Sequence, residues 1–256
     1  DISARVIDLA GNTGTLSTPV NVVLDTVAPT GPSTSLQVPA NAGGGLTPAE
    51  RASGVVVNAD LTGTGAVAGD TIEILIGGNP FATPAKRVLT AAEISAHLVS
   101  ITIGTQDGWI GTGSKDLTAR FTDTSGNIGS AAGKVSVNVL APAAVSTALI
   151  IPAAIGGINP LEKATGVNVI VNLGNTNVQP GDAVELLIDG KPFANSTLHV
   201  LSDTEIAVGS INLTIAGGDA GWGSTDGDKS LSARIIDTFG TVGLGGGNQK
   251  VTVDSS

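Results

Sequence analysis

The residues of this chain that could do chemistry are carboxylates, and they recur at fixed intervals. Asp8, Asp123 and Asp237 each stand three residues after the arginine of an Ala-Arg pair, spaced by 115 and then 114 positions. Asp70 and Asp182 each follow a glycine and open an apolar run, 112 positions apart. Carboxylates in pairs can hydrolyse glycosides, whereas carboxylates in clusters bind hard cations such as Ca²⁺. Because these residues repeat with the chain, they favour a role shared by every repeat.

Other catalytic groups are scarce. The chain has no cysteine, and therefore no thiol nucleophile, disulfide or Cys-ligated zinc. The two histidines, His97 and His199, stand at different positions of the repeat, and we expect both to be structural or solvated. The glycine-rich run at 63–69 lacks the spacing of a dinucleotide-binding loop and joins two predicted strands. The sequence therefore predicts a protein that is not an enzyme.

The amino-acid composition limits the kinds of molecule that the chain could bind. With 22 acidic and 12 basic residues, the formal charge is −10 at pH 7. This charge argues against nucleic acid or an anionic membrane as the partner. Aromatic side chains are few, and Trp109 and Trp222 both follow a glycine, 113 positions apart. We expect each tryptophan to close one end of a folded unit; the alternative is a platform for a sugar ring.

The period is that of a whole domain, so the chain is predicted to be a string of similar domains. Residues 27–140 and 141–256 form two repeats, and residues 1–26 match the C-terminal strand pair of a preceding repeat. Two strands cannot bury a core alone. Residues 1–26 are therefore expected to be mobile, to dock onto a neighbour or to complement another chain.

Within a repeat, short β-branched runs alternate with Gly and Pro, which predicts an all-β fold of two antiparallel sheets packed face to face. Apolar and polar residues alternate most clearly along Leu117–Thr122. Capping-box patterns at Thr90 and Ser202, and proline-led segments at Pro48 and Pro160, predict short helical turns between strands. The strands predicted for the first repeat are 55–61, 71–76, 99–103, 117–123 and 135–140.

The topology of a sandwich predicts where the carboxylates lie. Because strands alternate in direction, Asp70 and the turn from Asp123 to Asn127 should both lie at the N-terminal end of the first repeat. Asp25 enters there from the linker. Clustered carboxylates repel each other unless a cation is bound, and six to eight oxygen ligands suit Ca²⁺. The alternative for Asp123 and Asn127 taken alone is a simple hairpin cap.

The second junction departs from this pattern. Leu140 stands in place of Asp25, and Thr241 stands in place of Asn127. We expect this junction to bind calcium weakly or not at all, unless Glu50, Asp182 and Asp237 suffice, and to pack mainly through apolar linker residues. Glu50 recurs as Glu162, and a helix-start contact and a second metal ligand remain equal alternatives for both. All candidate metal ligands are Asp8, Asn12, Asp25, Glu50, Asp70, Asp123, Asn127, Glu162, Asp182, Asp237 and Asp254.

Three motifs together resemble bacterial immunoglobulin-like repeats. They are the Asp-x-x-Gly-Asn turns at Asp8 and Asp123, the Asp-Thr-x-Ala-Pro linker from Asp25, and the loops that end at Glu50 and Glu162. Such repeats fill the extender regions of giant RTX adhesins that Gram-negative bacteria export by type I secretion, including biofilm and ice-binding adhesins. The repeats here run longer than many of that class, with the extra length around 80–98.

The resemblance implies tandem immunoglobulin-like domains that calcium stiffens into a spacer on the bacterial cell surface. Such a spacer would hold a distal ligand-binding domain away from the cell. Its partners would be neighbouring repeats of the same chain, with no nucleic acid and no membrane insertion. The alternative is a carbohydrate- or protein-binding β-sandwich module with a ligand site of its own.

Overall fold

The computed structural model describes residues 1–104, 108–195 and 198–254. They form mainly antiparallel β-structure with a few short helices, which confirms the all-β prediction. No helix within these ranges is both long and apolar enough to cross a membrane.

The first sandwich is built from two sheets with opposed apolar faces. One pairs β1 with β4, and the other has the strand order β3-β2-β5-β6. The segment before β1 contributes to both sheets: Gln37 pairs with Asn58, and Leu46 pairs in parallel with Val139. The strands are β1 (Val55–Asp60), β2 (Thr71–Ile76), β3 (Asn79–Val88), β4 (Leu98–Ile103), β5 (Gly113–Thr122) and β6 (Ala132–Val139).

The second sandwich repeats this plan. β7 pairs with β11, the other sheet has the order β10-β8-β12-β13, and β9 lies beside β8. The segment before β7 again touches both sheets, through Ile150 with Ile170 and Ile158 with Val253. The strands are β7 (Val167–Asn172), β8 (Ala183–Ile188), β9 (Lys191–Pro192), β10 (His199–Val200), β11 (Ser210–Ile215), β12 (Gly227–Ile236) and β13 (Gly246–Val253).

The sequence did not predict β3. It contains Pro80 and Pro84, which donate no backbone hydrogen bond, and its apolar residues do not alternate regularly. An edge strand tolerates proline, because one side of it needs no partner. In the second sandwich the short strands β9 and β10 occupy the corresponding edge.

The predicted helical turns are confirmed, and all four begin with a capping box. In α1 the Glu50 carboxylate accepts hydrogen bonds from the Thr47 amide and hydroxyl at 2.8 Å. In α3 the Glu162 carboxylate accepts from the Asn159 amide. Both contacts are the helix-start interaction that the sequence allowed for these glutamates. The helices are α1 (Pro48–Ser53), α2 (Ala91–Ala96), α3 (Pro160–Thr165) and α4 (Asp203–Val208), with 3-10 turns at Pro39–Gly43, Pro152–Ala154 and Ala220–Trp222.

Each sandwich encloses its own apolar core. Trp109 and Trp222 are 0% and 1% exposed and pack against Phe81 and Phe193, with ring centroids 5.7 and 5.3 Å apart. The expectation that the tryptophans close the sandwich ends is therefore confirmed. Residues 1–27 add no side chain to either core, and they include an exposed hairpin that is bridged between Ile2 and Val20.

Candidate cation site and domain joint

Three acidic residues line one cleft at the N-terminal end of the first sandwich. Asp25 comes from the linker, Asp70 precedes β2, and Asp123 follows β5. The cleft has a volume of about 440 Å³, and no lysine or arginine is among its described lining residues. Sequence reasoning placed these three residues at one end of the domain, and the structure brings them to one cleft.

The turn from Asp123 to Asn127 is held by the Asp123 carboxylate. Its Oδ1 accepts hydrogen bonds from the Ser125 and Asn127 amides at 2.9 and 2.8 Å, and its Oδ2 accepts from Asn127 Nδ2 at 2.7 Å. The Asn127 side chain, followed by these amides, lowers the pKa of Asp123. Gly126 has φ of +90°, a conformation that favours glycine and lets the turn close.

Asn127 also ties the turn to the linker, because its Nδ2 donates to the Asp25 carbonyl oxygen at 3.1 Å. Within the linker, Asp25 Oδ1 accepts from the Val27 amide at 3.1 Å. The linker therefore enters the first sandwich against the Asp123 turn, with the exposed Asp25 carboxylate beside the cleft.

Asp70 is the unusual member of the group. Its residue is 1% exposed; Oδ2 accepts from the Val67 amide at 2.9 Å, but Oδ1 has no hydrogen-bond partner. A buried carboxylate oxygen without a donor or a cation is energetically costly and rare in folded proteins. Asp70 therefore lines the acidic cleft and has one carboxylate oxygen that no protein group satisfies.

The three carboxylates do not close into a coordination shell. In the part of the chain that the structure describes, no group of three or more His, Cys, Asp or Glu residues lies close enough to hold a metal ion. Asp25, Asp70 and Asp123 share a cleft, and a bound cation would have to draw them together.

At the second junction, backbone amides donate hydrogen bonds to both carboxylate oxygens of Asp182, the residue equivalent to Asp70. Asp182 is 1% exposed; its Oδ2 accepts from the Gln179 amide at 2.8 Å and its Oδ1 accepts from the Thr238 amide at 3.1 Å. Burial, and secondarily the nearby Asp237 carboxylate, raises the pKa of Asp182. The Thr124 amide, which corresponds to that of Thr238, makes no such bond to Asp70 Oδ1.

An arginine from the first sandwich enters this second junction. Arg51, in α1, is 0% exposed and donates from Nη2 to Asp237 Oδ2 at 2.7 Å. The same nitrogen donates to the Leu140 carbonyl oxygen at 3.1 Å, and Nη1 donates to the Trp109 carbonyl oxygen at 3.4 Å. The guanidinium also lies 4.7 Å from the centre of the Phe239 ring.

Asp237 pairs with Arg51 and still accepts the backbone hydrogen bonds that stabilise its own turn. Its Oδ1 accepts from the Phe239 and Thr241 amides at 2.9 and 2.7 Å, which leaves Oδ2 for the arginine. The junction thus contains a buried ion pair, which the expectation of packing mainly through apolar linker residues did not include. Sequence reasoning missed Arg51; the available signal was a basic residue at the same repeat position, Lys163.

The remaining candidate ligands lie outside the cleft that contains Asp70. Asp8 and Asn12 form the same kind of turn as Asp123 and Asn127, with Asn12 Nδ2 2.8 Å from Asp8 Oδ2, and this contact lowers the pKa of Asp8. Glu50 and Glu162 hold the helix starts described above. Asp254 is exposed, and its amide donates to the Ile158 carbonyl oxygen at 3.0 Å.

The histidines have structural surroundings. His97 ends α2 in a left-handed conformation with φ of 53°. His199 Nε2 lies 2.6 Å from Glu205 Oε1, at the repeat position where the first sandwich pairs Arg87 with Glu93. His199 therefore takes the place of an arginine in a recurring contact.

Comparison with known proteins finds similar solved structures but no matching family. No protein-family profile matches the sequence, and no curated protein matches it either. Similar solved structures include a Ca²⁺-stabilised adhesin with which an Antarctic bacterium binds ice (21% identity, 99% of this chain, 56% of that chain, TM-score 0.30). A 1.5-MDa bacterial ice-binding adhesin is similar at 22% identity, over 99% of this chain and 74% of that chain (TM-score 0.31).

A four-repeat extending region of a large adhesion protein is similar at 15% identity, over 99% of this chain and 56% of that chain, with a TM-score of 0.38. The chain thus spans little more than half the length of two of these three structures.

Proposed function

We propose that this chain is a structural spacer from the extender region of a large bacterial surface adhesin, with a Ca²⁺ ion at its first junction. The observation that carries the proposal is the buried Oδ1 of Asp70, which lacks a partner inside a cleft that Asp25 and Asp123 also line. The tandem sandwiches and the sequence motifs support the structural, non-catalytic role.

The chemistry of the cleft suits a hard cation. The side chains of Asp25, Asp70 and Asp123 offer carboxylate oxygens, and backbone carbonyls of the linker could add more. Calcium accepts six to eight oxygen ligands in flexible geometry, so it tolerates a site assembled from a linker and two loops. Asn127 would contribute by holding the linker against the Asp123 turn.

Binding there would couple two modules. Asp25 belongs to the linker that follows the hairpin bridged between Ile2 and Val20, whereas Asp70 and Asp123 belong to the first sandwich. An ion shared between them would restrict the angle at which the chain enters the sandwich, with Pro29 adding backbone stiffness. A series of such joints would project a distal ligand-binding domain from the cell surface.

Isothermal titration calorimetry with CaCl₂ tests the site directly. We expect one calcium ion per chain, and loss of binding in Asp70→Asn, which removes the charge without changing side-chain size. Binding to the folded state alone also raises stability, by about 2.7 kcal/mol when calcium is at 100 times its Kd. The rise in melting temperature should disappear in the same variant.

Asp182→Asn is the matched control, because Asp182 occupies the same repeat position with both oxygens already hydrogen-bonded. This variant should retain the calcium signal of the unaltered chain. Absence of calcium binding at millimolar concentration, or equal loss in both variants, would contradict the assignment.

The structure offers no support for the sugar-binding alternative. All six aromatic side chains fall within the described residues, and none of them is exposed. A sugar ring would therefore find no fully exposed aromatic side chain on which to stack.

A further inference from the structure

We propose that Arg51 is the permanent cation of the joint between the two sandwiches, so that this joint keeps its orientation without a metal ion. The inference goes beyond the spacer role and does not depend on calcium at the first junction. It rests on the contacts of one fully buried guanidinium with groups from both sandwiches and from the linker.

Arg51 contacts three separate parts of the chain at once. Trp109 belongs to the first sandwich, Leu140 to the linker, and Asp237 to the second sandwich. The planar guanidinium offers several donors in fixed directions, so these bonds fix the relative position of the groups that accept them. A rotation of one sandwich against the other would have to break at least one of them.

Separating Arg51 from Asp237 would cost free energy because both charges are buried. Both side chains of the Arg51–Asp237 pair are 0% exposed. Removing one partner of such a pair leaves the other charge buried without a counter-ion. This is far more destabilising than the loss of an exposed ion pair. The Phe239 ring beneath the guanidinium adds a cation–π contact.

The charge pattern explains why this joint needs no further cation. The two aspartates at the sandwich entrance, Asp182 and Asp237, are retained, but Arg51 supplies a positive charge among them. Asp182 has donors for both oxygens, and the third acidic position is occupied by Leu140. At the first junction all three acidic positions are kept, and no basic side chain lines the described cleft.

Pulsed electron paramagnetic resonance measures the distribution of distances between two spin labels, and the width of that distribution reports the stiffness of this joint. The chain has no cysteine, so single cysteines can be placed at the equivalent exposed positions Ser95 and Ala207, one in each sandwich. We expect a narrow distance distribution that is the same in EDTA and in millimolar calcium. Arg51→Met should broaden it in both buffers.

Arg87→Met is the matched control, because it removes an arginine that pairs with Glu93 within the first sandwich. It should leave the distribution narrow. Asp237→Asn removes the charge of the other partner, which lies in the second sandwich. It preserves the Oδ1 atom that accepts the hydrogen bonds of the turn. Its effect should not add to that of Arg51→Met in the double variant, because both remove one interaction.

Two results would overturn the proposal. A distribution as narrow in Arg51→Met as in the unaltered chain would show that the arginine does not hold the joint. A distribution that is broad in EDTA and narrows in calcium would show that the joint depends on metal. If Arg51→Met fails to fold, as circular dichroism would reveal, Asp237→Asn decides alone. Failure of calcium binding at Asp70 would leave all of these outcomes unchanged.

Discussion

At the scale of single residues, one aspartate has two different environments in the two repeats. Asp70 and Asp182 follow equivalent glycines, yet only Asp182 has donors for both carboxylate oxygens. The difference is one backbone amide, that of Thr238, which reaches Asp182 across the entrance of the second sandwich. A carboxylate that the protein has satisfied needs no ion, whereas one left unsatisfied can bind a cation.

Glu205 provides a test of residue-scale electrostatics. The hydroxyl and amide of Ser202, followed by His199, lower the pKa of Glu205 from its ordinary value of 4.5 to about 2. We expect Ser202→Ala to bring this pKa back towards 4.5, with a smaller upward shift in His199→Gln. Carbon-13 NMR of the side-chain carboxyl during an acid titration measures both.

The sign of the linked stability follows from the lowered pKa. The folded state holds Glu205 ionised more strongly than the unfolded state does, so its contribution is fully present above pH 4.5. It is lost as the pH falls from 4.5 towards 2. A titration midpoint near 4.5 in the unaltered chain would show that the cap of α4 does not form in solution.

At the scale of elements, regular patterns were predictable and exceptions were not. Leu117–Thr122 alternates between apolar and polar residues, so β5 could be recognised from its sequence. The capping boxes identified α2 and α4 for a similar local reason, since all their contacts lie within four residues. β3 was missed because its prolines are acceptable only at a sheet edge, which is a property of the assembled sheet.

The tryptophan at each sandwich end should be a large contributor to the stability of its own domain. Trp222 is buried against Phe193, so Trp222→Ala leaves a cavity and should reduce the free energy of unfolding of the second sandwich by about 3–5 kcal/mol. Trp109 then reports the first sandwich by fluorescence. Urea unfolding followed by fluorescence and circular dichroism separates the two transitions.

Val200→Ala is the control, because Val200 is 60% exposed in the same sandwich and should change stability by about 0.5 kcal/mol or less. A decrease of less than about 1 kcal/mol in the free energy of unfolding of Trp222→Ala would contradict the assigned role, since removing a large buried side chain destabilises a domain by more than that. A loss shared equally by both transitions would mean that the two sandwiches unfold as one unit.

At the scale of the whole molecule, equivalent entrance loops have different surroundings at the two junctions: Arg51 enters the second, whereas no lysine or arginine lines the described cleft at the first. The cleft at Asp70 was predictable, because strand direction alone places three acidic positions at one end of the sandwich. The role of Arg51 was not, because its partner Asp237 lies 186 positions away and belongs to another sandwich. Contacts between domains depend on how two folded bodies meet, and no local pattern encodes that arrangement.

The difference between the joints should be transferable by a few substitutions. Arg51→Gln removes the internal cation, while Leu140→Asp and Thr241→Asn restore the acidic and amide positions of the first junction. We expect the triple variant to bind one calcium ion more than the unaltered chain in isothermal titration calorimetry. Its distance distribution between labels at positions 95 and 207 should be broad in EDTA and narrow in calcium.

Arg51→Gln alone distinguishes a new site from simple loss of the arginine. It should broaden the distribution in both buffers without added calcium binding, because Asp182 and Asp237 lack the third carboxylate. Calcium binding by the single variant would mean that two aspartates are enough and that Arg51 excludes the ion by its charge. A triple variant that binds no additional calcium would show that the entrance loops of the second sandwich cannot form the site, whatever their residues.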